Sequence, residues 1–135
     1  MARTRLDEAA GLTVADVTHS RFSALPASAT VAEVSAWFAG SESRRMALLA
    51  DDGRYVGSLR PEDLAGADPA RPAAELAERG PTVTPDEPAS RGEELALGSG
   101  TRRVPVVDHD GRLLGVVAIT EDLQGFCGTG GTGEC

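Results

Sequence analysis

The sequence predicts an α/β fold built from two copies of one repeat, packed pseudo-symmetrically into one compact module. Each copy is a short strand, a helix, a β-hairpin and a short helix. Residues 44–59 match residues 102–117 at a constant shift, which aligns Arg45 with Arg103. Both stretches consist of two apolar runs around an Asp-Gly turn, a pattern typical of hairpins. The length of 135 residues suits two small lobes that share one core.

The first repeat opens with an entry segment over residues 13–17, of which residues 14–17 match residues 73–76 of the second, and continues with a short strand over residues 22–25. Thr30 is followed three residues later by Glu33, which is the spacing of a capping box and predicts a helix that starts between them. Gly40 ends this helix. After the hairpin, Pro61 suits the first turn of a short helix, because its missing N–H would be unpaired there in any case.

The second repeat follows a Gly-, Asp- and Pro-containing stretch that reads as a linker. We expect a short helix over residues 72–79, a strand over 82–84 and a helix over 89–97. Gly92 weakens the last of these by about 1 kcal/mol relative to alanine, so packing must hold this helix. In the second hairpin, consecutive apolar residues predict strands covered on both faces, and Pro105 belongs at the beginning or on the unpaired side of its strand.

These elements set the predicted boundaries of the chain. They are an N-terminal segment over residues 1–11, repeat 1 over 12–66, a linker over 67–71, repeat 2 over 72–125 and a flexible Gly-rich tail over 126–135.

Composition and charge exclude several classes of function. A net charge of −8 argues against nucleic acids and acidic membrane surfaces, which are usually bound by basic faces. No apolar run is long enough for a membrane span, and no signal peptide is recognisable, so we expect a cytoplasmic protein. Cys127 and Cys135 would then be mostly reduced. His19 and His109 lack partners at ligand spacing, so no metal site is predicted.

The order of elements in each repeat resembles that of the cystathionine-β-synthase-type (CBS) domain. The run from Val104 to Val117, with Pro105 near its start, is close to the strongest signature of that family. The first copy is more degenerate, because Ala47 replaces the proline. Two repeats in tandem resemble a Bateman module, and the resemblance covers about residues 12–66 and 72–125.

The resemblance implies a regulatory module and not an enzyme. Modules of this family often bind AMP, ADP, ATP or S-adenosylmethionine as regulatory ligands in clefts between the repeats. No cofactor is required. The alternative is a ligand-free module for dimerisation or protein interaction. In either case we expect a homodimer.

The ligand motif of the family is glycine, two apolar residues, serine or threonine, two further residues and aspartate. The resemblance assigns the hydroxyl to a phosphate and the carboxylate to the ribose. The first copy keeps Gly57 and Asp63, but Arg60 occupies the hydroxyl position. Its guanidinium could contact a phosphate by charge, or it could block the pocket.

The second copy departs further from this motif. Ala118 occupies the hydroxyl position and Glu121 the ribose position, while Thr120 and Asp122 come one residue late. The resemblance adds base and backbone contacts from the short strands and the start of each hairpin. The candidate ligand-binding residues are Ser23, Leu25, Arg45, Met46, Arg60, Asp63, Thr82, Thr84, Arg103, Val104, Pro105, Thr120 and Asp122.

Two of these assignments have structural alternatives. The arginine pairs that precede the hairpins could bind phosphates, or they could be solvated residues leading into a strand. Asp63 and Asp122 could bind ribose, or they could be carboxylates that stabilise the start of a helix through its dipole.

Overall fold

A computed structural model describes residues 11–19, 24–41, 44–119 and 125–126. Its helices and strands follow the chain in this order: α1 Val14–Val17, β1 Ala24–Pro26, α2 Val31–Ala39, β2 Ala47–Asp51, β3 Arg54–Leu59, α3 Ala89–Gly98, β4 Arg103–Val107 and β5 Leu113–Ala118. Two 3₁₀ turns, Pro61–Leu64 and Ala73–Glu75, complete the set. The mixed α/β class predicted from the sequence is confirmed.

The chain divides into two compact units that do not follow the order of the sequence. Unit 1 comprises Met1–Phe22 and Pro81–Cys135, and unit 2 comprises Ser23–Gly80. The boundaries of the two sequence repeats stay a prediction, because the units are groups of contacting residues and not copies of a repeat. Residues 67–71, expected as a linker, belong to unit 2, where the carbonyls of Pro69 and Arg71 accept hydrogen bonds from the first residues of α2.

Unit 2 is built on a three-stranded sheet in the order β1-β2-β3. β1 runs parallel to β2, and β2 runs antiparallel to β3. The turn between β2 and β3 has positive φ at Asp52 and Gly53, as a two-residue Asp-Gly hairpin turn requires. α2 starts at the predicted capping box: the Thr30 hydroxyl accepts from the Glu33 amide at 3.2 Å, and Glu33 accepts from the Thr30 amide at 2.9 Å.

A segment from the start of the second repeat extends this sheet. Ser58 and Glu78 exchange backbone hydrogen bonds of 2.8 and 3.1 Å along the free edge of β3. Gly57 permits this approach, because a Cβ at its position would lie 3.1 Å from the Cβ of Ala77 and 3.2 Å from the Glu78 carbonyl oxygen. The helix predicted over residues 72–79 is therefore wrong beyond the 3₁₀ turn, since the chain there pairs with β3 instead.

Unit 1 is built on the β4–β5 hairpin, whose strands are buried over most of their length. Val83 forms a parallel bridge to Val106 on one side of the hairpin, and His19 forms an antiparallel bridge to Val116 on the other. The Pro105 carbonyl accepts from the Val83 amide at 3.1 Å. The proline nitrogen faces the same side, where the pairing is a single bridge and not a full strand.

The segment from Thr13 to His19, at the start of repeat 1, occupies the corresponding place in unit 1. His19 and Val116 exchange hydrogen bonds of 2.8 and 3.0 Å, and a Cβ on Gly115 would lie 2.7 Å from the His19 carbonyl oxygen. The entry segment of each repeat therefore pairs with the last strand of the other repeat's hairpin. This exchange explains why unit 1 contains both the N-terminal and the C-terminal residues of the chain.

Packing holds α3 in unit 1, as the sequence predicts for a helix with an internal glycine. Gly92 is buried, and a Cβ at its position would lie 3.2 Å from a methyl carbon of Val117. Glycine is therefore the residue that allows this helix to lie close to β5. The short helix after β5 was predicted over residues that lie outside the described ones, as do most of the N-terminal segment and of the tail, including both cysteines.

Candidate functional site

The sheet of unit 2 brings several candidate residues to one of its ends. β1 and β2 are parallel with Ala24 opposite Leu48, and β2 and β3 are antiparallel with Ala47 opposite Leu59. The starts of β1 and β2 and the end of β3 therefore lie together. We call this region, comprising residues 24–25, 45–47 and 59–63, the Arg60 end of the sheet.

Arg60 and Asp63 form the best-defined polar pair at this end. The Asp63 Oδ2 atom accepts a 2.7 Å hydrogen bond from the Arg60 amide, which fixes the start of the Pro61–Leu64 turn. The Asp63 Oδ1 atom lies 3.6 Å from Nη2 of Arg60, and the Glu62 Oε1 atom lies 3.6 Å from Nε of the same guanidinium. Asp63 is thus a helix-start carboxylate whose side chain is 32% exposed and whose Oδ1 atom is not engaged by the Arg60 amide.

The other candidates of unit 2 differ in exposure. Leu25 is half-buried and packs against the core, Met46 is half-buried, and Arg45 is exposed just before β2. Ser23 lies outside the described residues. The Arg60 end therefore combines apolar surface and main chain with a guanidinium and a carboxylate.

Arg44, the other member of its arginine pair, has a structural role. Its Nη1 atom donates to the Trp37 carbonyl near the C-terminal end of α2, and its guanidinium lies 4.6 Å from the centre of the Trp37 ring. A cation at this end of a helix also complements the helix dipole. Arg44 therefore stabilises the C-terminal end of α2, where one of its donors is already engaged.

Candidate residues of unit 1 lie at the start of β4 and beside it. Arg103 donates from Nη1 to the Thr101 carbonyl at 2.9 Å. Val104 and Pro105 are buried in the sheet, so a ligand would contact their main chain more than their side chains. Thr82 is half-buried next to the Val83 bridge, at the end of the sheet where β4 starts.

Thr84 lies one step further toward the β4–β5 turn and belongs to a different local structure. Its amide donates to Glu87 Oε2 at 2.7 Å, and its hydroxyl donates to Asp86 Oδ1 at 2.6 Å. This hydroxyl is the main reason that the pKa of Asp86 lies below its ordinary value. Two carboxylates thus surround the Thr84 hydroxyl, which is an unfavourable setting for a phosphate.

Thr120 and Asp122, the remaining candidates, lie outside the described residues. Among the residues that the structure does describe, no group of three or more histidine, cysteine, aspartate or glutamate side chains could hold a metal ion. The geometry of the described residues therefore favours the Arg60 end of unit 2 as the candidate site.

Comparison with known proteins connects this geometry to a family. The family model of the CBS domain matches residues 73–121. Residues 73–121 therefore match the CBS domain, and the chain has the fold of a CBS pair. The predicted resemblance to a tandem CBS pair is thereby confirmed.

Solved structures of other CBS pairs share the fold. The CBS pair of a putative Mg2+ transporter from Shewanella oneidensis MR-1 is 22% identical, covers 83% of this chain and 68% of its own, and superposes with a TM-score of 0.72. The CBS-pair protein CBSX2 of Arabidopsis thaliana, solved with AMP, is 23% identical over 80% of this chain and 90% of its own, with a TM-score of 0.69.

A third CBS structure is the cytosolic domain of the Mg2+ channel MgtE in complex with ATP. It is 28% identical, with a TM-score of 0.65, and the match covers 76% of this chain but 44% of the other. No curated protein sequence matches this chain. None of the helices within the described residues is long and apolar enough to cross a membrane.

Two features of this CBS pair have no local signal in the sequence. Glu62 shares the guanidinium of Arg60, although a carboxylate two residues away could equally point to solvent. Tyr55 and Arg79 form a reciprocal pair: the Tyr55 hydroxyl donates to the Arg79 carbonyl at 3.1 Å, and the Arg79 guanidinium donates to the Tyr55 carbonyl at 2.7 Å. These partners lie 24 positions apart, so only the fold reveals them.

Proposed function

We propose that this CBS pair is a regulatory module that senses a small ligand, and that the ligand is an adenine nucleotide or a related adenosyl compound. The observation that carries the proposal is the Arg60 end of unit 2, where a guanidinium and a carboxylate adjoin apolar surface and main chain. The AMP complex of CBSX2 and the ATP complex of MgtE support the same class of ligand. A role in the cytoplasm without catalysis is part of this proposal.

Each group at the Arg60 end has a proposed part in binding. Oδ1 of Asp63 accepts hydrogen bonds from the ribose, because Oδ2 is already engaged by the Arg60 amide. Leu25 and Met46 offer apolar surface to the base, and the guanidinium of Arg60 faces the phosphates. Arg45 adds a second positive charge at the start of β2. The candidates of unit 1 remain proposals for a second site.

Thermal denaturation with AMP, ADP, ATP and S-adenosylmethionine tests the function directly. A ligand that binds only the native state at a hundred times its Kd stabilises that state by about 2.7 kcal/mol, so the midpoint must rise. Trp37, the one tryptophan of the chain, provides a fluorescence signal. No rise with any adenosyl ligand contradicts the proposal.

The variant Asp63→Asn tests the site assignment, and Asp16→Asn is its matched control. Asp16 accepts from the Thr13 amide at 2.8 Å at the start of α1, as Asp63 does from the Arg60 amide at 2.7 Å. Both variants lose the charge of a helix-start carboxylate. Only Asp63→Asn should weaken ligand binding, by about tenfold or ~1.4 kcal/mol, measured by calorimetric titration. Equal affinity of wild type and Asp63→Asn would refute the assignment.

The alternative is a ligand-free module for dimerisation or protein interaction. One observation favours it: the Arg60 guanidinium already has Glu62 and Asp63 as counter-charges. Trp37 is the proposed anchor of a homodimer, because this half-buried aromatic borders the core side of α2. Sedimentation at low micromolar concentration should show a dimer that Trp37→Ala weakens. An unchanged sedimentation profile would count against this anchor.

A further inference from the structure

The guanidinium of Arg60 is paired less closely than a comparable arginine of the same unit. Its nearest described carboxylate oxygens, on Glu62 and Asp63, lie 3.6 Å away, whereas Nε of Arg71 lies 2.9 Å from Oε1 of Glu75. Direct charge-assisted hydrogen bonds are about 2.7–2.9 Å long. The two arginines are similarly exposed, at 48% and 46% of their side chains. The difference is therefore one of pairing and not of burial.

The two carboxylates beside Arg60 are held differently. Asp63 is fixed, because its Oδ2 atom accepts from the Arg60 amide at 2.7 Å. The Glu62 side chain is 68% exposed, and its ion pair within the described residues is with the Arg60 guanidinium. Glu62 can therefore turn into solvent at little cost, since exposed ion pairs contribute about 0.2–1 kcal/mol. It is a displaceable counter-ion for Arg60.

The length of the arginine side chain determines which phosphate it can contact. Arginine stands here in place of the short hydroxyl side chain expected at this position, and its guanidinium extends several bonds further from the backbone. It therefore reaches a phosphate that is more distant from a ribose bound at Asp63. Its planar donors also match two phosphate oxygens at once.

We propose that Arg60 and Glu62 make this site selective for polyphosphate ligands, with Glu62 displaced when the second or third phosphate binds. Binding of an adenosyl ligand at this site rests on the proposed function, whereas binding of a polyphosphate anion by Arg60 does not. Nucleoside di- and triphosphates are then preferred over AMP and over the cation S-adenosylmethionine. The preference weakens as salt rises, because exposed charges are screened over about 10 Å at 0.1 M and about 3 Å at 1 M.

Calorimetric titration of wild type and variants with ATP, AMP and inorganic tripolyphosphate tests this inference. Glu62→Gln should bind ATP and tripolyphosphate about two- to fivefold tighter and leave AMP unchanged. Arg60→Ser should bind ATP about five- to tenfold more weakly and abolish the preference over AMP. Glu75→Gln removes the same charge from the Arg71 pair, near the start of α2, and should change nothing.

The outcomes separate this inference from the proposed function. Tripolyphosphate binding that depends on Arg60, without binding of any adenosyl ligand, keeps the anion site and refutes the proposed function. Equal affinity for AMP and ATP, unaffected by Arg60→Ser, refutes polyphosphate selection and leaves the function standing. An equal effect of Glu62→Gln and Glu75→Gln would show a general effect of net charge and overturn the role of Glu62. The three substituted residues are exposed, so unchanged circular dichroism should accompany each variant.

Discussion

Units 1 and 2 both extend their hairpin with a segment from the other repeat, yet different side chains hold the two segments. In unit 2 the segment is fixed by the reciprocal hydrogen bonds of Tyr55 and Arg79, at 3.1 and 2.7 Å. In unit 1 the segment carries α1, whose Val14 and Val17 are fully buried in the core. The position that matches Tyr55 in the repeat is Leu113, which has no hydroxyl to donate.

The two repeats therefore share the same backbone pairing but stabilise it with different side-chain interactions. Burying a valine side chain contributes about 1.5–3 kcal/mol, whereas a hydrogen bond contributes about 0.5–1.5 kcal/mol net. The residue that matches Val14 is Ala73, which is buried but smaller. We therefore expect the segment of unit 1 to be held more firmly, and to tolerate less change where it meets the hairpin.

Substitution of the two matching glycines should break the comparison most clearly. In Gly115→Ala the new Cβ would lie 2.5 Å from Cγ2 of Thr18 and 2.7 Å from the carbonyl oxygen of His19. In Gly57→Ala the nearest contacts are 3.1 and 3.2 Å. We expect losses in the free energy of unfolding of about 3 kcal/mol for Gly115→Ala and about 1 kcal/mol for Gly57→Ala. Urea denaturation measures both, and equal losses would contradict the comparison.

The two longer helices should differ in their dependence on local capping. Thr30→Ala removes the side-chain cap of α2 and should cost about 1 kcal/mol. α3 begins after Pro88 without a side-chain cap, so Ser90→Ala in its exposed first turn should be nearly neutral. The same denaturation experiment compares the two variants. A loss of stability in Ser90→Ala as large as that in Thr30→Ala would show that α3 also depends on its first turn.

Tyr55→Phe tests the polar attachment in unit 2 and should cost about 0.5–1.5 kcal/mol, because the Arg79 carbonyl loses its phenol donor. Burial raises the pKa of Tyr55, against smaller opposing effects of Ser58 and Arg79. The folded state therefore holds the phenol proton more tightly than the unfolded state. This contribution is complete below about pH 10 and is lost as pH rises through the raised pKa.

Alkaline denaturation measures that pH dependence with little contribution from other side chains that titrate near pH 10. The chain contains no lysine and a single tyrosine, so Tyr55 is the one side chain whose ordinary pKa lies close to 10. Wild type should lose stability above that pH, and Tyr55→Phe should lose less. Parallel pH profiles of the two proteins would show that burial does not perturb this phenol.

Gly92→Ala should have the smallest net effect, because two terms oppose each other in α3. Alanine favours a helix over glycine by about 1 kcal/mol. The added Cβ, however, would lie 3.2 and 3.4 Å from the methyl carbons of Val117, which must then move. We expect a change within about 0.5 kcal/mol, and a clear gain from Gly92→Ala when Val117 is first replaced by alanine. If the effect of Gly92→Ala is the same with valine and with alanine at position 117, contact with Val117 is not the reason that position 92 is a glycine.

The sequence predicted those features whose cause is local. Thr30 and Glu33 are three residues apart, so the start of α2 follows from a short-range pattern. The Asp-Gly turn of the first hairpin has the same kind of cause, since Asp52 and Gly53 themselves adopt positive φ. The duplicated pattern also sufficed to recognise the CBS pair and its α/β fold.

Features that depend on distant partners were not predictable in this way. Gly57 and Gly115 were interpreted as part of a ligand motif, but each also permits a close approach by a segment that sequence spacing does not reveal. The helix expected over residues 72–79 fails for the same reason, because Glu78 pairs with Ser58. At the candidate site, the ion pairs of Arg60 with Glu62 and Asp63 have N–O distances of 3.6 Å. Such distances cannot be predicted from the identity of the side chains.

The exchanged segments also determine the order in which the chain can fold during synthesis. Unit 2 is continuous from Ser23 to Gly80, so all of its partners are present early in translation. His19 must wait for Val116, roughly 100 residues later, before its backbone hydrogen bonds can form. α1 can pack on α3 earlier, but until β5 leaves the ribosome His19 lacks the backbone of Val116. The pairing of the segment that carries α1 and His19 is therefore completed later than that of any part of unit 2.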